Sequence, residues 1–186
     1  MRNLIFVGVL ILMVAGCSSA PSHFIINTEP AISSNNLVIK NIAINVVDPR
    51  SRQAILRLTD AGKHSYLSSN IPTTELVKQG FSAHVRQQLA IGTNPSSNSA
   101  LSITIEKMAL KLDQGVVSYE TQSLIVFNIA INSGTRTLNK TFKRQATSKG
   151  PLKADIAVLE SEFSALLAQI YNDISNDSQV RSYLTI

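Results

Sequence analysis

The sequence predicts an α+β fold, an antiparallel-rich sheet of about four to six strands with two amphipathic helices packed on one face. Three observations carry this. Two segments, Thr73 to Gly92 and Pro151 to Asp177, repeat apolar residues every three or four positions, the period of a half-buried helix. Between them, apolar and polar residues alternate with a period of two, as in strands with one buried face. The order of strand, hairpin, helix, three strands and helix does not alternate strand with helix, so it favours α+β over a wound parallel sheet.

Leu37 to Val47 is the first strand, dense in Ile and Val on both faces and therefore expected to be central. Asp48-Pro49-Arg50 ends it, because proline has no N–H for a ladder. Ala54 to Leu58 and His64 to Leu67 form a small hairpin across Asp60-Ala61-Gly62. A helix follows, with Thr73 as N-cap, Glu75 in its first turn and Gly92 as its stop, and Val77, Phe81, Val85 and Leu89 make its apolar stripe. His84 lies beside that stripe without a second ligand three or four residues away, so it reads as a helix-flank residue.

In the next strand Leu101, Ile103 and Ile105 are odd-numbered whereas Met108, Leu110 and Leu112 are even. A period of two changes phase only through an extra residue, so a β-bulge is expected near Glu106 and Lys107. The strand after it puts Val117, Tyr119, Ile125, Phe127, Ile129 and Ile131 on one face. Asn132-Ser133-Gly134 turns the chain into an edge strand, Thr135 to Thr147, whose apolar members are Leu138, Phe142 and Ala146. The last long helix, from near Pro151 to about Asp177, carries Ile156, Leu159, Phe163, Leu166, Leu167, Ile170 and Ile174 at spacings of three and four. The tail from Gln179 to Leu184 adds a turn packed through Tyr183 or Leu184.

The N-terminus has its own layout. Arg2 precedes an apolar run from Leu4 to Ala15, and Val14-Ala15-Gly16 leads to Cys17, the one cysteine of the 186 residues. That run is shorter than the about 20 apolar residues a spanning helix needs. It reads as a lipoprotein signal peptide, residues 1–16, with Val14, Ala15 and Gly16 recognised by the signal peptidase and Cys17 as the lipid attachment site, its thiol alkylated by a diacylglycerol donor and the mature N-terminus bearing palmitate. Two or more acyl chains anchor stably where one holds only marginally. Ser18 and Ser19 in place of a retaining aspartate favour the outer membrane, periplasmic face. Residues 17–36, rich in Ser, Asn and Pro, are expected to be a flexible tether, and residues 37–186 one periplasmic domain. Without a second cysteine that domain relies on its core alone.

No chemistry-bearing motif is present: there is no P-loop, no G-x-S-x-G and no dinucleotide fingerprint, and His23, His64 and His84 show no ligand spacing. Glu160 and Glu162 point to different sides of a helix and cannot share a proton. Neither an enzyme nor a metal or cofactor is therefore expected. With no Trp and few aromatic residues the chain lacks a stacking platform for nucleic acid. Between Glu120 and Asp155 no acidic residue occurs, while Arg136, Lys140, Lys143 and Arg144 are basic, which suggests a patch for an anionic lipid, lipopolysaccharide phosphates or an acidic envelope protein. The alternative is that these charges only protect an exposed sheet edge.

Asn45-Val46-Val47-Asp48-Pro49-Arg50, Gln114-Gly115-Val116-Val117-Ser118-Tyr119, Asn139-Lys140-Thr141-Phe142, Ala154-Asp155-Ile156 and the helix end Asp173 to Asp177, in this order, resemble the YajG family of uncharacterised bacterial lipoproteins. The resemblance runs from the lipobox nearly to the C-terminus. It implies an outer-membrane lipoprotein and supplies no established catalytic residue. The expectation is a non-enzymatic accessory or binding protein in cell-envelope maintenance, with a carrier of lipid, lipopolysaccharide or glycan as the rival and a cryptic hydrolase as a third reading.

Overall fold

The computed structural model describes residues 22–28, 37–39, 42–91 and 99–184. In chain order its elements are β1 (Leu37–Ile39), β2 (Ile42–Val47), β3 (Leu56–Asp60), β4 (Lys63–Leu67), α1 (Thr73–Gln88), β5 (Leu89–Ile91), β6 (Ser99–Gln114), β7 (Ser118–Ser133), β8 (Arg136–Pro151), α2 (Ile156–Asn176) and α3 (Ser178–Leu184). The fold is α+β, with a six-stranded sheet covered on one face by helices.

β6 is the centre of that sheet, and its phase change is real. Leu101, Ile103 and Ile105 are buried before the shift and Met108, Leu110 and Leu112 after it. The register against β7 slips between Ile105 and Lys107, so the expected bulge turns both halves of the strand toward the same core. β7 pairs antiparallel along the whole of β6, and β8 follows antiparallel as an edge. On the other side of β6, β2 runs parallel to residues 99–104 and β3 parallel to residues 110–114. The β3–β4 hairpin closes through Ala61 and Gly62, whose φ of 47° and 77° suit the mirror-image turn that matches strand twist.

The helices bury most of their predicted stripes, while Leu89, expected on the first, belongs to β5. α1 contributes Val77, Phe81 and Val85, and α2 contributes Leu159, Phe163, Leu167, Ile170 and Ile174, against Ile125, Phe127, Ile129 and Ile131 of β7. Each such side chain adds about 1.5–3 kcal/mol by leaving water. Asp155 caps α2, its carboxylate accepting from Ala157 N at 2.9 Å. Tyr171 joins Phe81 edge-on at 5.7 Å and Phe127 in a stack at 6.4 Å, so aromatic rings fill the space between helices and sheet.

Several boundaries differ from the sequence reading. Leu37 to Val47 is two strands in two sheets: β1 pairs with β5, and β2 pairs only with β6 on one side, so this run is not central. α1 ends at Gln88 and does not reach Gly92, because Leu89–Ile91 is taken by pairing with Leu37–Ile39. Pro151 closes β8 instead of opening a helix. On an edge strand its missing N–H costs no ladder bond, and the chain then turns through Leu152 at φ 63° before α2 begins. Val117 is exposed and lies just outside β7. Within the expected tether, residues 22–28 are docked: Phe24 is fully buried edge-on to Phe163 at 5.9 Å, and its N–H donates to Ser68 O at 2.9 Å.

Candidate functional site, a cationic cleft at the bulge

β2 and β3 lie along the same edge of β6, and the segment between them leaves that edge at the level of the bulge. Two contacts serve the exposed β6 backbone there. Ile55 O accepts from Leu110 N at 2.8 Å, and Arg50 Nη1 donates to Met108 O at 2.6 Å. Arg50 is itself fixed by Asp48, to which Nε and Nη2 each donate at 2.7 Å. The detour opens a cleft of about 470 Å³ on the sheet face opposite the helices, floored by Met108 and Ala109 and walled by Arg52, Arg57, Tyr66 and Lys111.

Pairing register explains why these side chains meet. Tyr66, Arg57 and Lys111 stand in one row across β4, β3 and β6, while Leu56 and Leu110, one residue back on their strands, face the core. Arg52 lies over the Tyr66 ring with its guanidinium carbon 4.1 Å from the ring centre. Arg57 Nη2 is 3.3 Å from His64 Nε2, and since a guanidinium only donates, that nitrogen is the acceptor. Arg57 Nε is buried with no hydrogen-bond partner among the described residues. Arg52, Arg57, Lys107 and Lys111 also lack a carboxylate within ion-pair distance among those residues, although Glu106 lines the same cleft. Such a wall can bind an anionic group through Arg57 and Lys111 while Tyr66 offers a flat apolar side.

The predicted basic patch is divided by the sheet. Arg136, Lys140 and Arg144 are on the face of β8 that turns toward the helices, whereas Lys143 lies on the open face, in one row with Val126 and Lys107. Lys140 Nζ donates to Asp177 Oδ2 at 2.6 Å, and Arg144 grips both oxygens of Asp173. Asp173 raises the Arg144 pKa by hydrogen bond and charge. Burial pushes Asp177 up, but Lys140 and the N–H groups of Val180 and Gln179 outweigh it and hold the carboxyl below its ordinary value. Arg136 stacks over Tyr183 at 4.3 Å. These three therefore clamp the ends of α2 and α3 to β8, and Lys143 stays on the face that carries the cleft. Val14, Ala15, Gly16 and Cys17 lie outside the described residues.

His84 is not a flank residue. It is 2% exposed, and its Nε2 lies 3.2 Å from Ser175 Oγ, which donates in turn to Asn172 O. His84 Nδ1 is buried with no hydrogen-bond partner among the described residues. Burial lowers its pKa. A histidine beside a serine invites a catalytic reading, but both are sealed in the core, where they tie α1 to α2. No group of three or more metal-binding side chains occurs among the described residues.

The sequence reading missed the cleft because its cations come from four separate segments, residues 50–52, 57, 107 and 111, none of which is a charge run. The bulge was the usable signal.

These features define a small α+β domain whose helices cover one sheet face and leave the other, with its cleft, open. A family model described as "Uncharacterized lipoprotein" matches residues 28–185, and the chain belongs to that family, the YajG lipoproteins. No curated protein matches it. Among solved structures it is similar to protein XCC0632 from Xanthomonas campestris, of family DUF330, with 14% identity and a TM-score of 0.45 over 82% of this chain and 88% of that one. An uncharacterised protein shares 11% identity and a TM-score of 0.47 over 82% and 97%. The rare lipoprotein B from Shewanella oneidensis shares 12% identity and a TM-score of 0.29 over 64% and 92%. No helix among the described residues is long and apolar enough to cross a membrane.

Proposed function

We propose that this lipoprotein is anchored to the periplasmic face of the outer membrane through a lipid on Cys17 and acts as a non-enzymatic binding protein in cell-envelope maintenance. Its cleft holds an anionic group of an envelope ligand. The observation that carries this is the row Tyr66, Arg57, Lys111, in which two cations without a carboxylate partner among the described residues flank a cavity of about 470 Å³. Such charges in a concave site gather anions. A carrier that swallows an acyl chain is less well supported: Phe81, Phe127 and Tyr171 fill the space between helices and sheet, and the cavity beside His84 measures about 10 Å³. That is room for about one water and not for an acyl chain. The cleft suits a headgroup better than a tail.

The anchoring half is tested by Cys17→Ser. The wild type is expected in the outer-membrane fraction with a lipid-bearing mass, and the variant unprocessed or released. A variant that matures to the same mass in the same fraction contradicts it.

A further inference from the structure

Among the described residues, seven large apolar side chains are exposed, and four of them, Val116, Val117, Leu152 and Val158, belong to one end of the molecule. That end is formed by the β6–β7 turn, the close of β8 and the first turn of α2. Val116 is 96% exposed, Val117 73% and Leu152 70%, so this is the least covered apolar surface described in the chain.

The display is built, not frayed. Gly115 N donates to Ser118 O and Leu152 N to Val117 O, both at 2.8 Å, which brings the two loops side by side. Gln114 ties them to α2, its Nε2 donating to Gly115 O at 2.8 Å and Leu152 O at 2.9 Å while its Oε1 accepts from Ala154 N at 2.9 Å. Two glycines are required for the fit: a Cβ on Gly115 would stand 2.9 Å from Ser118 O, and one on Gly150 would stand 2.6 Å from the Tyr119 ring. Leu152 is held at φ 63°, a left-handed conformation that costs a leucine and here points it into water.

The docked N-terminal segment lies along the first half of α2, the helix that starts at this end. Ile25 N donates to Glu160 Oε1 at 2.7 Å and Asn27 N to Ser164 Oγ at 3.0 Å, so the segment runs alongside α2 in the same direction. Phe24 pairs in parallel with Ser69 just beyond β4, which runs away from this end as well. From Asn27 back to Ile25 the partners move from Ser164 to Glu160, toward the start of α2. Cys17 precedes Ser22 by five residues, at most about 18 Å of extended chain. Charge gives no comparable direction: Lys149 pairs with Glu120 at 3.3 Å, and Lys63 stands across the hairpin from Asp60.

We propose that Val116, Val117 and Leu152 form a knob that sits in the interfacial layer of the bilayer to which Cys17 is anchored, orienting the sheet upright on the membrane. This rests on the lipoprotein reading above, which supplies the anchor. The 16 residues of β7 put the Gly134 turn about 50 Å from the knob, so the two ends have opposite surroundings.

The test uses the full mature lipoprotein in phosphatidylcholine vesicles containing nitroxide-labelled lipid. With Cys17 alkylated, a thiol introduced by Val116→Cys or Thr135→Cys is the one a fluorophore can label. The dye at position 116 is expected to shift to the blue and to be quenched several-fold more than at 135, and Val117→Asp with Leu152→Asp is expected to remove that difference while the protein stays on the vesicles. Equal quenching at 116 and 135 in protein whose mass shows the lipid overturns the knob and leaves the anchor standing. Protein that carries no lipid overturns the anchor reading, and the seating with it.

Discussion

Arg50 holds both carboxylate oxygens of Asp48 at 2.7 Å and gives its remaining terminal nitrogen to the carbonyl of Met108 at 2.6 Å. The Asp48 side chain is 0% exposed and that of Arg50 10% exposed. The pair seals the place where β2 leaves the β6 edge, and it shapes one wall of the cleft. Removing one partner of a buried pair leaves the other charge uncompensated, which typically costs about 3–5 kcal/mol. Arg50→Ala is therefore expected to lower the denaturant midpoint strongly. Arg50→Met with Asp48→Leu is expected to recover much of the loss. Equal loss in the single and double variants would show that the charge on Asp48 is not the problem.

Phe163 is fully buried on α2 and edge-on to Phe24, so it joins the docked N-terminal segment to the core. Truncating a buried phenylalanine typically costs about 3–5 kcal/mol, much of a total that is often 5–15. Phe163→Ala is expected to lower the midpoint and to expose residues 22–28 to protease. An unchanged midpoint would mean that α2 does not pack on the sheet as described.

The fold was largely legible because its strongest signals are periodic. The odd-to-even shift between Ile105 and Met108 allowed one backbone solution, a bulge, and β6 has it. The α2 stripe was legible for the same reason, whereas its start was not: Pro151 fits the first turn of a helix as well as the end of an edge strand, and pairing with Ser118 decides between them. Parallel pairing of β2 and β3 with β6 joins residues about 55 positions apart, beyond any local pattern. Phe24 lies in a polar segment and its partner Phe163 is remote in sequence, so no local pattern marks its burial. Lys140 and Arg144 looked like a patch because Asp173 and Asp177, which neutralise them, belong to another element.

His84 makes stability depend on pH. Burial lowers its pKa below the ordinary 6.5, so near and below that value the unfolded chain binds a proton that the folded one refuses. The contribution of neutral His84 is complete above pH 6.5, declines as pH falls through that value, and stops declining below the folded pKa. The midpoint measured from pH 8 to pH 5 is expected to drop, and His84→Gln to flatten that drop. An equal slope in both proteins would assign it to other groups.

The cleft is where the account is most directly tested. The mature protein, and the same protein with Arg57→Gln and Lys111→Gln, are titrated with lipopolysaccharide and with inorganic phosphate at rising salt, and binding is followed by calorimetry. The wild type is expected to bind lipopolysaccharide with an affinity that falls as salt screens the charges, over about 10 Å at 0.1 M. The variant is expected to lose at least about tenfold, or 1.4 kcal/mol, with its denaturant midpoint little changed; phosphate competition would assign the contact to the phosphate groups. Binding by the variant equal to that of the wild type, or wild-type binding indifferent to salt, would contradict the claim that this cleft holds an anion.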